Sequence, residues 1–297
     1  MRYIYQYPDA HGTDTDLLDS GPVAELAVIA EGSGWAGFSF TEHPAPGARW
    51  LENGGHQTLD PLVALGHVAA VTSRIRLLTY LAVLPYRNPF LLAKAAATVD
   101  KLSGGRLTLG AGTGYLKGEY AALGVDFEER NALFDEALDV LPLHWAGDPF
   151  SYEGRHFSAR GIIARPRPVQ DPIPIWIGGN SRLTLRRVAA RAQGWMPLLG
   201  PDELFTTART ANLSSIEEIG SKIKELRDMA GERGDALDVA LPYTDTTIAS
   251  PGTDVERHKD SLGRLADIGV TWVVVSGPVG SPARSREFLE SFGANYA

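Results

Sequence analysis

Eight short apolar runs, each followed by a longer stretch of helical period, constrain this chain more than any other feature. The runs are Arg2–Tyr7, Gly37–Thr41, Ile75–Leu81, Arg106–Gly110, Ile173–Ile177, Gly194–Leu198, Val239–Ile248 and Val270–Ser276. The stretches between and after them are Val23–Gly32, Pro61–Thr72, Pro89–Leu102, Arg130–Trp145, Leu183–Ala192, Ile216–Arg233, Asp254–Asp267 and Ser281–Phe292. Most runs do not alternate apolar with polar residues, as in Arg-Leu-Thr-Leu-Gly, Ile-Pro-Ile-Trp-Ile and Val-Thr-Trp-Val-Val-Val. That is the pattern of parallel strands buried on both faces beneath crossover helices. Eight such units in 297 residues predict an α/β fold, one (β/α)₈ barrel over 1–297, whose usual length is roughly 250 residues before insertions. A doubly wound open sheet is the competing architecture; it would more often hold fewer strands and divide into two domains.

Two regions interrupt the rhythm. Residues 43–59 form a long loop rich in proline and glycine, and 146–172 contain a hairpin-like pattern around Ser151–Phe157 before Arg165-Pro166-Arg167-Pro168. Long loops near strand ends usually shape substrate access.

In a barrel, functional groups gather at the C-terminal ends of strands. Four such ends stand out here: Thr41-Glu42-His43, Thr79-Tyr80-Leu81, Gly110-Ala111-Gly112-Thr113-Gly114-Tyr115 and Ile177-Gly178-Gly179-Asn180-Ser181. The glycine clusters permit close backbone approach to a ligand, although tight strand-to-helix turns use the same residues for geometry alone. After the second cluster, Asn180 or Ser181 is a suitable N-cap, and the free N–H groups of a helix start favour a phosphate. Arg182 and Arg186 lie four residues apart and share a helical face. They form either an electropositive rim for an anionic tail or an ordinary solvated surface.

His43 is the titratable group of greatest interest, because a histidine at a strand end can exchange a proton near neutral pH. The plain alternative is a loop histidine that packs or caps. Glu42 is either its catalytic companion or a side chain turned inward to hold backbone N–H groups. His56, His67 and His144 show no partner spacing, and His67 falls within a helix.

Other chemistries are disfavoured. The chain has no cysteine, so disulfides, thiolate metal sites and cysteine nucleophiles are excluded. There is no zinc-protease helix motif, no nucleophile elbow and no P-loop. With 36 acidic against 28 basic residues the net charge is −8, which opposes nonspecific binding to nucleic acid or anionic membranes. The six tryptophans are scattered, and no run reaches the roughly 20 apolar residues of a membrane helix. Residues 1–8 lack a signal peptide's apolar core, so a cytoplasmic location is expected.

The motifs Leu84-Pro85-Tyr86-Arg87-Asn88-Pro89, Leu102-Ser103-Gly104-Gly105-Arg106, Pro168-Val169-Gln170 and Pro174-Ile175-Trp176-Ile177-Gly178-Gly179-Asn180, with Gly194-Trp195, resemble those of the luciferase-like flavin and deazaflavin oxidoreductases. The resemblance runs from about Gly34 to Leu198 and is most similar to the subgroup using the deazaflavin coenzyme F420. It implies a bacterial luciferase-like barrel with a cofactor ring across its mouth, against Thr79, Tyr80 and Leu81, with a cis peptide at Tyr80–Leu81. It further implies a phosphate near Gly112 to Gly114 and Gly178 to Ser181, with Gly110, Thr113 and Tyr115 also among the cofactor-binding residues, His43 close to the reactive carbon, and a homodimer. Two positions depart from the family pattern. Thr113 stands where some deazaflavin sugar-phosphate dehydrogenases carry a glutamate, which speaks against that activity, and Gln193 replaces a usual aspartate. The expected function is F420-dependent hydride transfer to or from a small organic molecule. An FMN-dependent monooxygenase and a barrel that binds cofactor without catalysis are the alternatives.

Overall fold

Eight parallel strands close into a ring in the computed structural model, which describes residues 1–14, 16–200, 205 and 210–297. They are β1 Arg2–Gln6, β2 Gly37–Phe40, β3 Arg76–Thr79, β4 Leu107–Gly112, β5 Ile175–Gly178, β6 Gly194–Met196, β7 Asp238–Pro242 and β8 Trp272–Ser276. The longer helices alternating with them are α1 Val23–Gly32, α2 Pro61–Val71, α3 Pro89–Ser103, α4 Arg130–Ala146, α5 Arg182–Arg191, α6 Ile216–Ala230, α7 Val255–Asp267 and α8 Pro282–Tyr296. Each strand pairs in parallel with its sequence neighbours, and β8 returns to β1 through Ile4 opposite Val274. The expected (β/α)₈ barrel is therefore the fold, and the open-sheet alternative falls.

Every residue of β2 and β4 is buried, which is why those runs carry no alternation. Ile4, Leu78, Trp176, Met196, Ala240, Trp272 and Val274 fill the barrel's interior. Gly194 makes room for this packing, because a Cβ there would overlap the Trp176 indole. Between strands and helices the core is aromatic on one side, with Trp35 stacked on Phe292 at 4.1 Å and Tyr5 edge-on to Phe38.

Local chemistry sets the helix ends. Asn88 caps α3 by accepting the Phe90 N–H at 3.0 Å, Pro89 occupies the first turn, and Gly104 ends the helix at φ 72°. The residues around that end then lock the N-terminal face of the barrel. Buried Asp100 accepts the N–H groups of Val169 (2.7 Å) and Gln170 (3.1 Å) and the Gln170 amide (2.6 Å). Arg106 donates to the carbonyls of Ser103, Ile75, Ala69 and Thr72 and to the Thr72 hydroxyl, at 2.7 to 3.1 Å.

Some boundaries move. β4 continues through Gly112, so Gly110 and Gly112 are strand residues and the turn begins at Thr113. β7 ends at Pro242, and Thr246–Ala249 is a 3₁₀ turn capped by Asp245. Residues 43–59 contain a short helix, Ala48–Glu52, and a strand, His56–Gln57, that pairs antiparallel with Ala10–His11. The hairpin expected in 146–172 is formed by Phe150–Glu153 and Ser158–Ile162. Among the described residues, no helix is long and apolar enough to cross a membrane.

Candidate active site

The ends of β2, β3, β4 and β5 are consecutive around the ring, so His43, Tyr80–Leu81, Thr113–Tyr115 and Gly178–Ser181 share one arc of the mouth. The Tyr80–Leu81 peptide is cis, as the resemblance implies. Beyond it Ala82–Val83 resumes pairing with β4.

The Leu84–Pro89 motif serves this arc as a clamp. Arg87 forms ion pairs with Glu42 and, at 2.7 Å, with Asp60, the residue that caps α2. Glu42 also accepts the Val83 N–H at 2.6 Å. Burial pushes the Glu42 carboxyl up, and Arg87 pulls against that shift. Both carboxylate oxygens are thus engaged with the scaffold, so Glu42 holds the β2 and β3 ends together instead of facing a substrate as a catalytic companion would.

His43 sits differently. Its backbone N–H donates to the Thr58 hydroxyl at 2.9 Å. Ring Nδ1 lies 3.2 Å from Glu119 Oε2, and Nε2 lies 3.4 Å from the Tyr115 hydroxyl. Trp50 (4.6 Å between centroids) and His56 (4.8 Å, edge-on) flank the ring. Glu119 belongs to the short helix Lys117–Ala122 and also accepts the Tyr86 hydroxyl at 2.9 Å and the Ala45 N–H at 3.2 Å. Tyr115 is pushed up to about 12 by burial and by the nearby carboxylates, so its hydroxyl stays protonated.

Next to His43 lies a second, half-buried titratable pair. Asp9 accepts hydrogen bonds from Thr41 and Gln6 and lies 3.7 Å from His56 Nε2. Burial raises the Asp9 carboxyl to about 6 despite those bonds and the nearby histidines. Burial, helped by the neighbouring imidazoles, lowers His56 to about 3.

Several proposed cofactor contacts face protein instead. The Thr79 hydroxyl donates to the Gly110 carbonyl at 2.7 Å and is fully buried. The bare faces of Gly112 and Gly178 are filled by Leu81, whose side chain a Cβ at either position would overlap. The Asn180 side chain is taken up by Leu198 and Ala211, through bonds of 2.8 Å that tie the β5 turn to the neighbouring strand end. Gly114 keeps φ 69° and Gly179 φ 115°, values that side chains resist. Tyr120 donates to the Thr113 carbonyl, and Gln193, where the family usually has aspartate, accepts the Ile175 N–H at 2.9 Å.

Ser181 caps α5 through the Thr184 N–H, leaving the first N–H groups of the helix without an intrahelical partner. On the same helix Arg187 is buried against Asp135 and Arg191 pairs with Asp139, whereas Arg182 and Arg186 are exposed and have no ion-pair partner among the described residues. The described residues contain no cluster suited to a metal ion.

Sequence reasoning missed Glu119, Tyr86, Asp9 and His56. Asp9 follows the first strand, whose end obeys the same rule as the others. Glu119 is an acid in the first turn of the helix after the glycine turn. His56 had no local signal, since its place depends on the pairing with Ala10–His11.

Comparison with known proteins follows the same line. The family profile described as luciferase-like monooxygenase matches residues 6–244. Uncharacterized protein Rv0953c of Mycobacterium tuberculosis is 31% identical over 287 residues, covering 92% of this chain and 93% of that protein. The FMNH(2)-dependent dimethylsulfone monooxygenase of Pseudomonas putida is 29% identical over 222 residues, covering 73% of this chain and 55% of that one. Among solved structures, an F420-dependent secondary alcohol dehydrogenase in complex with an F420–acetone adduct superposes with a TM-score of 0.74 at 15% identity, covering 99% of this chain and 97% of the other.

Proposed function

The chain belongs to the luciferase-like monooxygenase family, an oxidoreductase family of flavin- and deazaflavin-binding barrels, and from that premise we propose that it oxygenates a small organic molecule using reduced FMN and dioxygen. The observation that carries the reading is His43: an imidazole at the rim, contacted at both nitrogens and flanked by Trp50 and Tyr115. The residues present fit the anionic arm of such a cofactor. The open N-terminus of α5 offers N–H donors for a phosphate, and the first two turns of that helix carry Arg182 and Arg186, which have no ion-pair partner among the described residues.

Reduced FMN, when bound, supplies the two electrons that take one atom of dioxygen to water while the other enters the substrate. The protein's own part is orientation and proton handling. His43 holds or accepts a proton at Nε2, with the neutral Tyr115 hydroxyl beside it. The 43–59 segment covers His43 through Trp50 and His56 and excludes water from that side. Glu42 and Arg87 keep the rim in register.

The family description and the FMNH(2)-dependent relative support FMN. A second reading, hydride transfer with F420, is favoured by one feature: two arginines on α5 with no ion-pair partner among the described residues exceed what a single phosphate requires and suit a polyanionic tail. Anaerobic titration with reduced FMN and with reduced F420, followed by turnover in the presence of oxygen, separates the two. Micromolar binding of reduced FMN with oxygen-dependent product formation is expected. Binding of F420 alone would transfer the chain to the second reading, and binding of neither would overturn both.

A further inference from the structure

The two nitrogens of His43 face different partners, and the partner at Nδ1 is the more informative. Glu119 is 1% exposed at its side chain, and His43 is the basic group within ion-pair distance of it among the described residues. Its carboxylate already receives the Ala45 N–H and the Tyr86 hydroxyl. An amide N–H only donates, so this surrounding favours the ionised, acceptor-only carboxylate. Nδ1 of His43 must then carry the proton that points at Glu119, and the neutral ring offers its lone pair at Nε2.

We propose that Glu119 is a positioning residue: it fixes His43 in the Nδ1–H form and leaves Nε2, on the Tyr115 side of the ring, as the proton acceptor. The inference rests on the mouth being the reacting site. A proton leaving the substrate passes to Nε2, and the resulting imidazolium is held by Glu119, which keeps its charge and takes no proton. The remaining titratable groups around the ring are Tyr115, His56 and Asp9, whose charge His43 also feels directly. Among the described residues none of these lies against Nδ1, whereas Tyr115 lies against Nε2, so Glu119 is the partner that holds the proton on Nδ1 and the Tyr115 hydroxyl acts in the same direction from the other side.

The test is the ¹⁵N spectrum of histidine-labelled protein without cofactor, at alkaline pH where the ring is neutral, with the His43 signals assigned by their loss in His43→Gln. Wild type is expected to show Nδ1–H, and Glu119→Ala to move toward Nε2–H. In the same variant kcat falls at least tenfold while affinity for reduced FMN stays within twofold. An Nε2–H wild type, or a Glu119→Ala spectrum that keeps Nδ1–H, would overturn the assignment. Should Glu119→Ala fail to fold, the wild-type spectrum still decides, since it needs no variant. If no cofactor supports turnover, the proposed function falls while the spectrum continues to judge Glu119.

Discussion

At the N-terminal end of the barrel, Arg106 and Asp100 bind their neighbours through short bonds that engage both side chains fully, and Arg76 does the same toward Thr108 (2.6 Å) and Gln170 (2.9 Å). At the mouth, His43 makes contacts of 3.2 and 3.4 Å, and Asp9 and His56 are held far from their ordinary titration ranges. The closed end uses its polar groups to fix geometry. The mouth leaves protonation and hydrogen-bonding capacity open, at some cost in stability, which is where chemistry can use them.

The sharpest way to break this contrast is to damage the closed end. Arg106→Ala would leave the carbonyls of Ala69, Thr72, Ile75 and Ser103 without that donor. Each buried orphan costs about 1–3 kcal/mol, so a loss of at least about 3 kcal/mol is expected in a denaturant titration. Turnover per folded molecule should not change; a variant that stays stable but loses turnover would erase the distinction between the ends.

A smaller effect, with a pH signature, is expected at the mouth. Asp9 titrates at about 6 in the fold, against roughly 3.9 in an unfolded chain. The native state therefore binds the proton more tightly, and stability falls as pH rises from about 4 to about 6. Asp9→Asn removes that cost, giving a gain on the order of 2–3 kcal/mol at pH 7.5 and none below pH ~4. His56 has the opposite sign. Lowered to about 3 from an unfolded value near 6.5, it costs stability as pH falls through that window. The Asp9→Asn curve should therefore rise with pH between about 3 and 6.5, where wild type is flatter. Urea midpoints measured across pH check both slopes; equal midpoints for the two proteins at pH 7.5 would show that Asp9 carries no burial cost.

The barrel was legible because its code is local. Non-alternating strands and caps such as Asn88-Pro89 declare themselves in short windows, and Val23–Gly32 is a helix over the span expected. The most specific motifs turned out to be scaffold: Arg87 braces Glu42, while Arg106 and Gln170 lock the closed end. The strand-end rule located Thr79, Gly112, Gly178 and Asn180 at the C-terminal rim of the barrel, but a rule about position does not say which way a side chain points. Glu119 reaches His43 across 76 residues of sequence through neighbouring strand ends of the barrel, and His56, 13 residues away, is set by its pairing with Ala10–His11.

The smallest free-energy change bears most directly on the division between a structural end and a working end. His43→Ala should lower kcat with reduced FMN at least tenfold, about 1.4 kcal/mol on the barrier. The Kd for reduced FMN should stay within twofold, and the melting temperature should fall by less than in Arg106→Ala. Full turnover in His43→Ala, or a loss of melting temperature comparable to that of Arg106→Ala, would contradict the account.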